Sequence, residues 1–242
     1  QTYSRALTGR LVFIRPTVEL TGENPGQGSL TQPSTEGSTI FLPPVIDRYS
    51  HKEENLLWLK VATTHQAAHL EFGSFDFDFD RPARLFTSLR PEMKPAVPVA
   101  GTPTTDFQRF FNLFPESKLA SEAFIVIEDT RLDHLIKSEY RGIRSLFERA
   151  ERDSLEDRPD TLNMPLREVI LENLVRLSLG EHKGISIPNA ARGLMLQAAR
   201  LQAQIKTPGA TVEDSAEAVI RLYKILTSMP NVVVPQDQWE SI

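Results

Sequence analysis

The chain of 242 residues contains no cysteine, which excludes disulfides and thiolate metal sites and fits a reducing compartment. Basic residues are not in excess, because 27 Lys and Arg against 32 Asp and Glu give a net charge of −5. Nucleic acid and anionic membrane surfaces are therefore not expected as partners. No apolar run approaches the roughly 18 residues of a membrane span, and no signal peptide is evident, so we expect a cytoplasmic protein.

Short motifs with known chemistry are missing as well. The chain has no Gly-x-x-x-x-Gly-Lys-Ser/Thr sequence, so it is not expected to bind ATP through a P-loop. It has no Gly-x-Ser-x-Gly sequence, so a serine nucleophile of that type is not expected. The chain begins at Gln1 instead of Met and ends at Ile242 after a polar stretch, so we expect a segment of a longer protein.

The residues that are present, 40% hydrophobic and 24% charged, are typical of a globular protein. Residues 9–16 and 39–42 are rich in β-branched and aromatic residues, which predicts two short strands in a hairpin-like pair. Residues 17–38 between them are rich in Gly, Pro, Ser and Thr, which predicts a mobile loop. The segment 74–80 (SFDFDFD) alternates strictly and predicts a further short strand.

Most of the remaining chain is predicted to be helical. Residues 52–72 show helical spacing and are followed by Gly73, which favours a helix end. Six more helices are predicted, at 105–114, 117–138, 140–152, 163–180, 188–206 and 211–228. The last begins with Thr211 as N-cap and acidic residues in its first turn. Apolar stripes on two of these helices predict packing in a bundle, and they consist of Leu171/Leu174/Leu177 and Ala218/Leu222/Ile225.

The predicted fold class is therefore mainly α, a helical bundle with a small N-terminal β element. The predicted organisation has three parts: a β element over 1–50 with its loop at 17–38, a helical domain over 51–230, and the start of a linker over 231–242.

His65 and His69 are the most informative pair in the sequence. Four residues apart on a helix, the two imidazoles share one face. Zinc-hydrolase helices present two ligands in this way but carry Glu directly after the first His, where this chain has Gln66. A carboxylate can accept a proton from a metal-bound water and a neutral amide cannot, so the pattern resembles a degenerate zincin (α+β) without its general base.

A metal site at this pair needs a third ligand, and Glu128 is the candidate because it lies in an apolar helical segment that abruptly becomes charged. Zinc is then the metal expected. The alternative is a polar network in the bundle interior, formed by Gln66, Asp129, Arg131 and Asp133 around Glu128 and His65. Either aspartate could accept a hydrogen bond from a ligating imidazole, and Arg131 could pair with a carboxylate.

Other candidate ligands are weaker. Glu71 lies on nearly the opposite side of the helix from His65, and the acidic residues of the segment 74–80 lack the glycine and terminal Glu of an EF-hand, so a solvated face is expected. The remaining histidines, His51, His134 and His182, are isolated and are expected at the surface.

Several blocks in a fixed order resemble a known family: residues 40–44 (IFLPP), 64–75 (THQAAHLEFGSF), 111–115 (FNLFP), 127–133 (IEDTRLD) and 139–142 (EYRG). They are similar to the region that precedes the von Willebrand factor A domain in NorD-type and CbbO-type proteins, over roughly residues 39–230. Those proteins are adaptors of MoxR-type AAA+ ATPases, whose client enzyme is nitric oxide reductase for the NorD type and Rubisco for the CbbO type.

The resemblance implies a non-catalytic adaptor that couples a MoxR-type AAA+ hexamer to a client, with Rubisco favoured by the run LEFGSFDF and nitric oxide reductase next. The chain lacks the Asp-x-Ser-x-Ser metal motif of the family's von Willebrand domain, so the client-binding metal site of that domain has no counterpart here. Two alternatives remain: a zinc-dependent hydrolase that uses His65, His69 and Glu128, and a purely structural helical interaction module.

Overall fold

The computed structural model of the chain describes residues 2–20, 32–96, 105–180 and 185–241, and these residues form a mainly helical protein with a small β element near the N-terminus. Their eight helices are α1 (Thr2–Thr8), α2 (Lys52–Glu71), α3 (Asp106–Phe111), α4 (Ser117–Glu139), α5 (Arg144–Glu156), α6 (Leu166–Ser178), α7 (Arg192–Ile205) and α8 (Val212–Thr227). Their five strands are β1 (Phe13–Pro16), β2 (Ser34–Glu36), β3 (Thr39–Leu42), β4 (Ser186–Pro188) and β5 (Trp239–Ser241). Among these helices, none has both the length and the apolar character needed to cross a membrane.

The helices confirm most of the sequence interpretation. Helices α2 and α4 match the predicted ranges within a residue or two, and α8 begins with Thr211 as its N-cap. The backbone N–H of Thr211 donates to the Asp214 carboxylate, and the resulting capping box adds a second contact to the predicted N-cap. Helix α5 starts four residues later than predicted because a 3-10 turn, Arg141–Ile143, precedes it. Helix α1 was not predicted.

The N-terminal sheet corrects two predictions. Strands β1 and β3 pair in parallel, with Phe13 opposite Thr39, so they are not the two arms of a hairpin. The hairpin is instead formed by β2 and β3, which are antiparallel and joined by a tight turn in which Gly37 has φ of 55°. The predicted mobile loop 17–38 therefore contains regular structure at both ends, the 3-10 helix Thr17–Leu20 and strand β2. Its residues 21–31 lie outside the described part of the chain.

The chain divides into two compact units, and the first comprises residues 1–75 and 136–150. Its sheet packs on α2, because one face of the helix and the inner face of the strands are both apolar. The small core there contains Val12, Ile40, Leu42, Ala67 and Leu70. The boundary predicted at residue 50 thus falls inside this unit, since the strands bury their side chains against α2.

The second unit comprises residues 76–135 and 151–242 and holds a much larger core around α6, α7 and α8. The predicted stripes face this core: Leu171, Leu174, Ala218 and Leu222 are buried, and Leu177 and Ile225 pack against it. Residues 231–241, predicted as the start of a linker, pack in this unit instead, because β5 pairs antiparallel with β4 and Leu166 N–H donates to the Val232 carbonyl.

The predicted strand at 74–80 is wrong. Residues Ser74–Asp76 form a 3-10 turn, and the residues after it lie in irregular structure. Phe77 and Phe79 are buried as the alternation suggested, but their neighbours do not bond to a strand: Asp78 N–H donates to the Glu213 carboxylate, and Asp80 N–H donates to the Asp78 carboxylate. Side-chain acceptors have replaced the sheet partner.

Candidate functional site

Helix α2 carries the histidine pair near its C-terminal end. Its 20 residues include neither Gly nor Pro, and Glu53 and Glu54 in the first turn suit the positive end of the helix dipole. The helix ends where Phe72 N–H donates to the Ala68 carbonyl and Gly73 adopts a φ of 71°, which glycine tolerates best. The spacing argument is thus confirmed to the extent that His65 and His69 lie one turn apart on a regular helix.

The two imidazoles are half-buried, with ring centroids 5.4 Å apart and ring planes nearly perpendicular at 81°. Nδ1 of His69 is 3.2 Å from the Ser74 hydroxyl. This contact orients the ring so that Nε2 points away from that hydroxyl. The His65 ring stacks near Phe147 with a centroid distance of 6.4 Å, and the His69 ring lies 6.1 Å from Phe75. A metal bound by this pair would have its first two ligands held by a hydroxyl and by aromatic packing.

Gln66 occupies the position of the hydrolase glutamate, and its side chain is engaged within the first unit. Its Oε1 accepts a hydrogen bond of 2.8 Å from the Thr35 hydroxyl of β2, which also donates to the Gln66 main-chain carbonyl at 3.1 Å. The amide therefore fastens α2 to the sheet. It is neutral, and it cannot accept a proton from a water molecule as a carboxylate does.

Glu128 lies in the second unit, on α4, and is only 2% exposed. Both of its carboxylate oxygens accept N–H groups of Arg131, one turn later on the same helix, and Arg131 also donates to the Ala210 carbonyl at 3.3 Å. The buried charge of Glu128 is thus balanced by a guanidinium. The pairing of Arg131 with a carboxylate agrees with the polar-network interpretation, and the role of Glu128 as a zinc ligand stays a prediction.

The other members of the predicted network are divided between the units. Asp129 is half-buried and Asp133 is 8% exposed, both on the part of α4 that belongs to the second unit, whereas Gln66 belongs to the first. The fallback ligand Glu71 is exposed and hydrogen-bonds the Tyr140 phenol. Burial, with the nearby charges of Glu71 and Glu139, raises the pKa of Tyr140 to about 12.

The remaining candidate ligands from the sequence are Asp80 and the histidines outside the pair on α2. Asp80 pairs with Arg109, whose Nη1 lies 2.9 Å from the carboxylate, and this hydrogen bond holds the pKa of Asp80 below its usual value. Such a carboxylate, with a guanidinium in contact, does not suit calcium. His51 is exposed as expected, whereas His134 is half-buried, and His182 lies outside the described residues.

One buried polar cluster was not predicted from the sequence. Three carboxylates at the start of α8, those of Glu213, Asp214 and Glu217, are at most 1% exposed and hold the irregular segment 78–90. Asp214 accepts the backbone N–H groups of Arg84 and Leu85. The sequence offers a signal in three acids within five residues, of which the helix-start prediction used only the first-turn pair Glu213 and Asp214.

Glu217 is the centre of that cluster. It accepts the backbone N–H groups of Leu89 and Arg90 and pairs with two guanidiniums, those of Arg90 at 3.3 Å and Arg221 at 2.9 Å. The Arg90 side chain is 1% exposed and its burial lowers its pKa, an effect that the surrounding acids oppose. Every carboxylate of the cluster holds backbone or guanidinium, so the cluster is architectural.

Comparison with known proteins gives no assignment, because no protein-family model, no curated protein and no solved structure matches this chain.

Proposed function

We propose that this chain is a non-catalytic adaptor segment that couples a MoxR-type AAA+ ATPase to a client enzyme, with Rubisco as the favoured client and nitric oxide reductase next. The proposal comes from the ordered sequence blocks that resemble the region before the von Willebrand domain in NorD-type and CbbO-type proteins. One block overlaps the end of α2 and another lies in α4, the helices that carry the histidine pair and the Glu128–Arg131 pair.

The observation that supports a non-catalytic role is the neutral side chain of Gln66 and its hydrogen bond to Thr35. In a zinc hydrolase the residue after the first histidine takes a proton from the attacking water, and here that residue is a neutral amide whose oxygen accepts a bond from Thr35. A degenerate zincin of this kind would keep the helix geometry and lose the reaction. Binding a partner asks for a stable surface and no proton acceptor, which such a scaffold can provide.

The test combines the full 242-residue chain with a purified MoxR-type AAA+ ATPase and with the candidate client. We expect a complex with the ATPase hexamer in size-exclusion chromatography with light scattering, and a change in the ATP hydrolysis rate. If the sequence continues into a von Willebrand domain, the longer protein should also restore activity to an inhibited client. The proposal is refuted if the chain forms no complex with the ATPase and changes neither the ATP hydrolysis rate nor the activity of the client.

A zinc-dependent hydrolase is the second candidate, favoured by the i, i+4 histidines and the Ser74 contact that orients His69. Zinc at the site would supply a polarised water, and His65 and His69 would be two of its ligands, with Glu128 predicted as the third. Elemental analysis of the dialysed protein would find stoichiometric zinc that is lost in the His65→Ala/His69→Ala variant. Peptidase activity that appears only in Gln66→Glu would show that the missing base had been the remaining barrier.

A purely structural role for the histidines is the third candidate, favoured by their ring contacts with Phe147 and Phe75. In that case the His65→Ala variant would have a lower melting temperature, while its affinity for a partner and its metal content would equal those of the wild type. His51→Ala, an exposed histidine just before the same helix, is the matched control for all three readings.

A further inference from the structure

An apolar groove of about 490 Å³ lies in the first unit, away from the histidines, between the first turns of α2 and the ends of β1 and β3. Its lining consists of Ile14, Arg15, Pro16, Leu42, Pro43, Pro44, Ile46, Lys52, Asn55, Leu56 and Leu59. We propose that this groove is the docking site for a short segment of a partner protein that carries aliphatic side chains together with carboxylates. The proposal does not depend on the identity of the partner, whether ATPase, client or another protein.

One wall of the groove is a single face of a helix. Lys52, Asn55, Leu56 and Leu59 recur at the i, i+3, i+4, i+7 spacing that places side chains on one side of α2. Leu56 on this face is 64% exposed, whereas the opposite face of α2 packs against the core. An aliphatic side chain this open, beside a cavity with an apolar floor, gives a ligand apolar area to bury.

The wall is held in place before any ligand binds. The Asn55 carboxamide accepts the backbone N–H groups of Arg48 and Tyr49 and donates to the Tyr49 carbonyl at 2.6 Å. These three hydrogen bonds fix the segment that precedes α2 against its second turn. A preformed groove costs less conformational entropy to occupy than one that must be assembled on binding.

The opposite wall is the end of the parallel strand pair, where Pro16 lies opposite Leu42. Pro43 and Pro44 follow at once, and because proline has no N–H, neither can donate the hydrogen bonds that would extend the sheet. The groove is therefore closed at this side by rigid apolar residues, and a ligand must be recognised there by side-chain contact.

The charges of the lining decide what kind of segment fits. Arg15 and Lys52 are the only ionisable side chains among the lining residues, and no carboxylate is present there. The partner of Arg15 is Glu19, at 3.4 Å and with both side chains well exposed, which is a weak surface pair that a ligand carboxylate could replace. Eight of the eleven lining residues are aliphatic or proline, so the complementary segment is both apolar and acidic.

The same charges argue for a polypeptide over other anions. Two cations in an apolar groove suit one or two carboxylates, whereas a nucleic acid or an anionic bilayer needs an extended basic surface, and the whole chain carries a net charge of −5. Helix-in-groove and strand-in-groove binding both use alternating or helical apolar anchors with flanking charges, as this lining requires.

The test uses the full chain and a short fluorescent peptide in which leucine alternates with glutamate. We expect saturable binding by fluorescence anisotropy, weakened about fivefold by Lys52→Glu and about tenfold by Leu56→Ser. The matched controls are Lys118→Glu, an exposed lysine of α4, and Leu57→Ser, the exposed neighbour of Leu56 that does not line the groove. Both controls should bind as the wild type does, and all four variants alter exposed side chains and should fold.

Two companion peptides separate the contributions. A leucine–lysine peptide should bind far more weakly to the wild type and better to Lys52→Glu, and a serine–glutamate peptide should not bind measurably. Hydrogen exchange should show peptide-induced protection in the first turns of α2.

Three results would overturn the proposal. The wild type could bind the acidic and basic peptides with equal affinity, or Lys52→Glu and Leu56→Ser could bind the acidic peptide as the wild type does. The third is hydrogen-exchange protection by the peptide that is confined to the second unit. Concentration-dependent dimers in sedimentation that Leu56→Ser abolishes would also overturn it, since the occupant would then be a second copy of the chain.

Discussion

The two compact units use polar and apolar side chains in opposite ways. In the second unit, buried carboxylates such as Glu128, Glu172 and Glu217 are matched by guanidiniums, and the core beside them is large. In the first unit, α2 makes side-chain hydrogen bonds between Tyr3 and Thr64, Thr35 and Gln66, and His69 and Ser74. Its ion pair, Glu54 with Arg149, lies at the surface.

The two units also differ in how many large apolar side chains they expose. Eight of the thirteen exposed large apolar side chains in the described part of the chain belong to the first unit, although it holds little more than a third of the sequence. We infer that ionic groups in the second unit serve stability, and that the first unit keeps apolar surface available for a partner.

The largest effect is expected for Glu217→Ala, which removes the carboxylate that pairs with Arg90 and Arg221. It leaves two backbone N–H groups without their acceptor and the buried Arg90 guanidinium without its carboxylate. We expect the free energy of unfolding in urea to fall by about 3–5 kcal/mol. Glu217→Gln, which keeps the shape and some acceptor capacity, should cost less.

Glu122→Gln is the matched control, because Glu122 forms an exposed pair with Lys118 and should change stability by at most about 1 kcal/mol. A loss for Glu217→Ala as small as that of the control would show that the cluster on α8 contributes nothing to stability.

A double-mutant cycle on Glu128 and Arg131 is expected to give the next largest effect. Glu128→Leu alone and Arg131→Met alone each leave one buried charge, so each should cost about 3–5 kcal/mol, whereas the double variant should recover most of the loss. Thermal unfolding of the four proteins measures the coupling. Additive losses would mean that the two side chains are not each other's principal partner.

Thr35→Val should have a smaller effect in the first unit. The change removes the donor to Gln66 Oε1 while keeping the size of the side chain, so we expect a loss of about 1 kcal/mol in the free energy of unfolding. Thr39→Val in the neighbouring strand is the control, because it makes the same chemical change without removing this hydrogen bond. A larger loss in the control would contradict the fastening of α2 to the sheet by Thr35.

The remaining effect is confined to alkaline pH and concerns Tyr140. Its phenol has a pKa of about 12 in the folded protein against 10.0 for the unperturbed group, so the folded state binds the proton more tightly. Its contribution to stability is therefore complete below pH 10 and is lost as the pH rises from 10 to 12. Tyr140→Phe should remove this slope from alkaline unfolding curves, and Glu71→Gln should move the phenolate absorbance titration to lower pH.

The helices could be read from the sequence because their signals are local. Spacing of apolar residues, breaks at Pro and Gly, and the Thr211 N-cap all act within a few residues, and the structure has α2, α4 and α8 close to the expected bounds. The segment 74–80 has an equally clear pattern, but the strand prediction is wrong because its N–H groups find side-chain acceptors: Asp78 N–H bonds to Glu213 of α8, more than 130 residues away, and Asp80 N–H bonds to Asp78.

The histidine pair illustrates the same division. That His65 and His69 share one helical face followed from a spacing of four residues, which needs nothing beyond the geometry of one helix. That the amide of Gln66 is held by Thr35 and that the acids of α8 hold the segment 78–90 depended on how distant elements pack. The pairing of Arg131 with Glu128, three residues apart on one helix, is by contrast local. Burial converts a charged residue from a solvated group into one that must have a partner, and only the packed chain determines which residues are buried and which partner each one meets.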